Sequence, residues 1–134
     1  MKKNLRIAQI APPWIAIPPK QYGGAENVIY HLVEEQVAQG HDVTLIAPGD
    51  AKTSAKLVSF YPKSLLESVV PWTMHLKAFY HLQKAVDYIK EQRFDIVHTC
   101  IFKLRYVSFP SHSSSWNASR YYLAQYLSLR SRRS

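Results

Sequence analysis

Apolar residues in the first hundred positions follow two patterns, short continuous runs and helical spacing. The runs "LRIAQIA" (5–11), "DVTLIAPG" (42–49) and "FDIVHTC" (94–100) are continuous, as in strands that are buried on both faces of a sheet. A shorter run, "KLVSFYP" (56–62), predicts a further strand between the second and the last. The chain therefore contains four candidate strands.

Two longer segments, 24–41 and 74–93, carry apolar residues at the three- and four-residue spacing of amphipathic helices. Gly40 is well placed to end the first helix. The positions predicted to face the core are Ala25, Val28, Ile29, Leu32, Val33 and Val37 in the first helix and Leu76, Phe79, Leu82, Val86 and Ile89 in the second.

The order strand, helix, strand, strand, helix, strand predicts an α/β fold with a Rossmann-like parallel sheet flanked by helices. In such sheets a ligand binds at the carboxyl ends of the strands. We therefore look for chemistry in the loop after the first strand and in the residues that follow "FDIV".

The loop at residues 12–23 is long for a strand-to-helix connection, and long connections are commonly functional. Its prolines, Pro12, Pro13, Pro18 and Pro19, restrict the backbone and lower the entropy lost on ordering. Gly23 and Gly24 then bring backbone without side chains to the start of a helix, where an anion such as a phosphate is favoured. A simple turn into the helix explains the glycines equally well, and the loop does not match GxGxxG.

Charge separates the chain into two parts. Residues 1–100 contain all nine acidic residues and eleven Lys/Arg, whereas residues 101–134 contain no acid, six Lys/Arg and nine Ser. We expect one domain over 1–100 and a distinct basic tail over 101–134. The single cysteine, Cys100, excludes an internal disulfide framework and fits a reducing compartment. The expected location is the cytoplasm, either free or at a membrane.

Isolated histidines offer little evidence of catalysis. His98 follows "DIV" at the end of a predicted strand, where it serves either as a structural hydrogen-bonding group or as a cleft residue. Neither the other histidines nor Cys100 have metal-ligand spacing, so we predict no metal site. The aromatic segment 71–82 either packs an apolar helix face on the sheet or contributes to an acceptor groove or lipid contact.

Four pieces of the chain together resemble a known family. "RIAQIAPP" (6–13), "YGGAE" (22–26), "GHDVTLIAPGD" (40–50) and "FDIVHT" (94–99) occur in the order found in the N-terminal domain of family-four glycosyltransferases. These are retaining enzymes of the GT-B architecture, in which two Rossmann-like domains face each other across a cleft. The resemblance implies that this chain is an incomplete N-terminal, acceptor-side half.

The resemblance also implies the substrates and the site. The donor would be a nucleotide-sugar, such as a UDP- or GDP-sugar, and the acceptor a sugar or a lipid-linked molecule, with no further cofactor. The loop would reach the diphosphate of the donor, which makes Tyr22, Gly23, Gly24 and Glu26 candidate substrate-binding residues, together with His98. The donor's own phosphate supports departure of the diphosphate, so no catalytic nucleophile is assigned.

The tail does not continue the family pattern, which would supply a loop, a helix and a strand ending in histidine. Suitable synonymous codons for residues 102–125, read from the second base, can encode "SNCDMYLFPLILPLGMPHVTTLHS". Trp116 has a single codon, so with Asn117 it yields the glycine of that string without any choice. We therefore predict a frameshift near residues 99–101 and a truncated, inactive product. Ala124 stands where the restored strand would carry its histidine.

Two other functions remain open at the sequence level. A non-catalytic nucleic-acid-binding protein would use the basic tail and would lose salt-dependent binding when residues 101–134 are removed. A stand-alone Rossmann-like module would bind a nucleotide tightly without a partner domain. We favour the glycosyltransferase interpretation, with no nucleic-acid partner.

Overall fold

The computed structural model describes residues 3–71 and 73–99 of the chain. Its elements follow the predicted order and are β1 (Arg6–Ile10), α1 (Gly24–Ala38), β2 (Asp42–Ile46), β3 (Lys56–Val58), α2 (His75–Glu91) and β4 (Ile96–Thr99). Each lies within the segment predicted for it, and β3 is much shorter than the run 56–62 suggested. Cys100 and the predicted tail, 101–134, lie outside the described residues.

The four strands form one parallel sheet in the order β3-β2-β1-β4. Strand β1 lies between β2 and β4, with Ile7 opposite Val43 on one side and Ile96 on the other. Parallel neighbours require crossover connections. Helix α1 connects β1 to β2 and α2 connects β3 to β4, whereas β2 and β3 are joined by residues 47–55 without a helix. The predicted Rossmann-like α/β fold is confirmed.

Alternate residues of the central strand serve two separate cores. Ile7 belongs to the core beneath α1, whereas Ala8 and Ile10 belong to the core beneath α2. The α1 side also contains Ile29, Val33, Val43 and Leu45, and the α2 side contains Ile46, Leu82, Val86, Ile89 and Val97. Burial on both faces explains why β1 reads as a continuous apolar run.

Three residues predicted to face the core are exposed instead. Val28, Leu76 and Phe79 retain 52%, 79% and 46% of their accessible surface. The buried residues of α2 begin at His81 and Leu82, so the first turns of the helix do not pack against the sheet. Leu76, Phe79 and Tyr80 share helical spacing and form a second, exposed stripe. Packing on the sheet therefore accounts only for the end of the segment 71–82.

The end of α1 shows how Gly40 stops a helix. Its φ is +88°, a left-handed conformation that favours glycine. The N–H of Gly40 donates to the Val37 carbonyl at 2.9 Å, and the N–H of His41 donates to Gln36 at 3.2 Å. This is the Schellman arrangement, and it confirms the predicted stop. Within the described ranges no helix is long and apolar enough to span a membrane.

His81 joins α2 to the end of β1. Its side chain is fully buried, and Nε2 lies 2.9 Å from the Ala11 carbonyl, which can only accept. Nε2 therefore carries the proton, while the buried Nδ1 has no partner among the described residues. Burial lowers the pKa of His81 below its ordinary value.

We predict that acid weakens the fold through His81. In the unfolded chain the imidazole gains a second proton below a pH of about 6.5, whereas in the folded chain burial opposes that protonation. Stability that is present above this pH is therefore lost as the pH falls toward the lowered pKa of His81. Urea unfolding at several pH values should show this loss, reduced in His81→Gln. His75→Gln, which changes an exposed histidine, is the control. Equal pH dependence in the two variants would contradict the prediction.

Candidate functional site

The strand order defines where a ligand crevice opens. The chain leaves β1 toward β2 on one side of the sheet and returns through α2 to β4 on the other side. The carboxyl ends of β1 and β4 therefore flank the topological switch point, where open α/β sheets bind ligands. The proline-rich loop follows β1 there, and His98 is the penultimate residue of β4.

The loop at residues 11–23 is held by backbone hydrogen bonds as well as by its prolines. The N–H groups of Leu65 and Leu66 donate to the carbonyls of Pro13 and Trp14 at 2.9 and 3.1 Å. The N–H of Lys52 donates to Ile17 at 2.7 Å, and the Ile17 side chain is fully buried. The loop is thus fixed to the segments that follow β2 and β3.

Gly23 is required by close packing rather than by its dihedral angles. It caps α1 with a φ of 164°, an extended conformation open to any residue. A Cβ at this position would lie 2.7 Å from Pro19 Cβ and 3.1 Å from Glu26 Oε2. The glycine therefore lets the proline and the glutamate converge at the helix N-terminus.

Gly24 and Tyr22 flank Gly23 but face open space. A Cβ at Gly24 would meet nothing within 4 Å, and Tyr22 retains 87% of its accessible surface. The cap residue, Gly23, provides no side-chain hydrogen bond to α1. The amides of Gly24 and Ala25 therefore have no partner from the cap residue, and helix amides of this kind favour an anion.

Glu26 turns inward from the same turn of helix. Its side chain is buried, and burial raises the pKa of its carboxyl although a hydrogen bond from its own backbone N–H acts in the opposite direction. The structure therefore brings Gly23 and Glu26 together, and leaves Tyr22 and Gly24 outside that contact.

His98 connects to the sheet and to α1. Its Nδ1 lies 2.6 Å from Gln9 Oε1, and Gln9 Nε2 donates to Gln36 Oε1 at 2.9 Å. Burial lowers the pKa of the half-buried His98. Its hydrogen bond thus goes to Gln9, and not to the loop glycines.

An open groove of about 490 Å³ lies beside the loop, and sequence reasoning missed it. Its walls come from residues 14–22 and 64–67, which are distant in sequence. Lys20 and Glu67 form an ion pair at 3.2 Å, so their charges offset each other. Asp50 Oδ2 accepts hydrogen bonds at 3.0 Å from both the N–H and the hydroxyl of Ser64, which fixes the start of the second wall.

The remaining candidates do not form a catalytic cluster. His41 accepts a hydrogen bond from the Leu5 N–H at 3.1 Å, and His31 and His75 are exposed. Over residues 3–71 and 73–99, no three His, Cys, Asp or Glu side chains gather as metal ligands. The candidates for chemistry at this edge are therefore the backbone amides, the groove and His98.

We predict that replacing Gly23 with alanine destabilises the fold much more than replacing the adjacent Gly24. Gly23→Ala forces a Cβ against Pro19 and should lower the free energy of unfolding by about 1–3 kcal/mol. Gly24→Ala meets open space and should change it by less than about 1 kcal/mol. Urea unfolding of both variants measures the difference. Equal losses would mean that the packing around Gly23 is wrongly assigned.

Comparison with known proteins agrees with this geometry. A family model described as Glycosyltransferase Family 4 matches residues 22–127, well over half of the chain, and its match begins at the loop's Tyr22. No curated protein matches the chain. The parallel sheet, the glycine pair at the start of α1 and this match lead to one conclusion: the chain belongs to glycosyltransferase family 4.

Proposed function

We propose that residues 1–100 form the acceptor-side domain of a retaining glycosyltransferase that uses a nucleotide-sugar donor. The observation that carries this proposal is the sterically open start of α1 at the switch point of the sheet. Family membership supports sugar transfer in general. A UDP- or GDP-sugar would supply the donor, and a second domain would bind most of it.

The start of α1 suits the diphosphate of such a donor. Free N–H groups and the helix dipole favour negative charge there, and Gly24 offers no side chain that would hold a phosphate away. As transfer proceeds, the bond between the anomeric carbon and the diphosphate oxygen breaks, and negative charge grows on that oxygen. Backbone N–H groups that donate hydrogen bonds to this oxygen lower the activation barrier by electrostatic stabilisation.

Two carboxyl groups lie beside the loop, and neither is assigned a covalent step. Glu67 is ion-paired with Lys20 at 3.2 Å. Glu26 is buried, and burial favours its neutral form. In our proposal the acceptor hydroxyl bonds to the anomeric carbon and gives its proton to the departing phosphate. Glu26 then supports the position of Gly23 and takes no part in the bond changes.

The groove beside the loop is our candidate for the acceptor. Trp14 and Tyr22 supply aromatic surface, and Ile15 and Leu66 supply apolar surface. The paired charges of Lys20 and Glu67 favour a neutral molecule over an ion. A sugar, free or linked to a lipid, combines hydroxyl groups with an apolar ring face and fits these walls.

We further propose that residues 101–134 arise from a shift of reading frame and that this chain is inactive alone. Support comes from the change in charge and serine content and from the family-like string that the shifted frame can encode. The family match runs on through residues 101–127 in the given frame, which a frameshift near residues 99–101 would not produce, and the coding sequence decides between the two.

Substituting Gly24 tests the role of the loop in an enzyme rebuilt with its second domain. Gly24→Val places a branched side chain over the first amides of α1 and should reduce transfer by about 10²-fold or more, because a preorganised phosphate contact is lost. Ala38→Val, at the exposed far end of the same helix, is the matched control and should retain activity. Wild-type rates in a folded Gly24→Val enzyme would exclude the proposed contact.

Sequencing the gene tests the frameshift. We expect the second frame to be open through residues 101–134 and to continue into a donor-binding domain. A stop codon in that frame shortly after residue 101 would refute the proposal.

A further inference from the structure

Three side chains form a continuous hydrogen-bonded chain across the α1 side of the sheet. His98 Nδ1 meets Gln9 Oε1 at 2.6 Å, and Gln9 Nε2 donates to Gln36 Oε1 at 2.9 Å. Gln9 and His98 are direct partners in the register of β1 and β4, and Gln36 lies on α1. Gln9 is 1% exposed, so its amide has no bulk water as an alternative partner.

The direction of this chain, as the amides are oriented in the structure, assigns the proton on His98. Gln36 presents an oxygen, so Gln9 must turn its NH₂ group toward α1. Its own oxygen then faces His98, and that oxygen only accepts hydrogen bonds. With both amides in this orientation, Nδ1 carries the hydrogen of the imidazole.

The other ring nitrogen, Nε2, has a lone pair with no hydrogen-bond partner among the described residues. Burial favours the neutral imidazole, so Nε2 carries no proton when Nδ1 does. Within the described part of the chain, Nε2 makes no hydrogen bond, and the residue is half-buried at the carboxyl end of β4. This atom is an available acceptor at the switch point.

We propose that His98 Nε2 accepts a hydrogen bond from a hydroxyl group of a neutral sugar, and that Gln9 and Gln36 are positioning residues that hold it in this tautomer. The inference rests on the proposed function, since that function supplies a sugar as the ligand. A phosphate offers mainly acceptor oxygens and is a poor partner for a bare nitrogen. His98 and the start of α1 thus recognise different parts of a ligand.

Nitrogen NMR of the full, ¹⁵N-labelled chain at neutral pH tests the tautomer. The His98 signals, assigned by their loss in His98→Asn, should show a protonated Nδ1 and an unprotonated Nε2. The exposed His31 and His75 in the same spectrum serve as internal references. A protonated Nε2, or a charged ring, would overturn the proposal.

Two substitutions at Gln9 separate positioning from simple packing. Gln9→Glu keeps an acceptor oxygen and should retain the Nδ1–H tautomer, whereas Gln9→Leu removes it and should move the proton toward Nε2. If Gln9→Leu does not fold, Gln36→Leu tests the same chain from the half-buried surface of α1. An unchanged tautomer in the folded leucine variant would show that the glutamines do not set it.

Ligand titration tests the chemical class. Glucose should shift the Nε2 signal of His98, and inorganic phosphate should not. A response to phosphate alone, or no response to glucose at about 100-fold molar excess or more, would contradict the hydroxyl-binding role. These results are independent of transfer by the rebuilt enzyme, so failure here is distinct from failure of the glycosyltransferase proposal.

Discussion

The parallel pairing of β1 with both β2 and β4 is the constraint on which the other features depend. Five residues, Arg6–Ile10, pair with β2, and four of them, Ile7–Ile10, also pair with β4; most of their side chains are buried. Because β1 is an interior strand, its end at Ile10 sets where the loop begins. Ala11, the next residue, is the hydrogen-bond partner of His81. A change in its register would also separate Gln9 from His98.

At this edge of the sheet, residues that are held by packing lie close to residues that face open space. Ile17 is buried and hydrogen-bonded, and Gly23 is enclosed by Pro19 and Glu26, whereas Gly24 faces open space. A backbone held in this way loses little entropy when a ligand binds. The two glycines therefore have different surroundings, since Gly23 is enclosed by its neighbours and Gly24 faces open space.

The sequence predicted the order of elements because buried strands and amphipathic helices have distinct periodicities, and Gly40 marked a helix end correctly. Periodicity could not rank two apolar stripes on one helix, so Leu76 and Phe79 were wrongly assigned to the core. Local patterns also gave no sign that Leu65 and Leu66 pair with the loop, because that contact joins distant segments. Helical periodicity likewise gave no sign that the Glu26 side chain is buried.

Family membership assigns the chain to glycosyl transfer, while the central structural claim concerns the start of α1. Amide hydrogen exchange in a rebuilt enzyme tests that claim most directly, because the cap residue, Gly23, provides no side-chain hydrogen bond to this helix. If the donor diphosphate binds there, the amides of Gly24 and Ala25 should exchange more slowly when the nucleotide-sugar is added. Unchanged exchange at these two amides, with the donor bound elsewhere in the enzyme, would contradict the account.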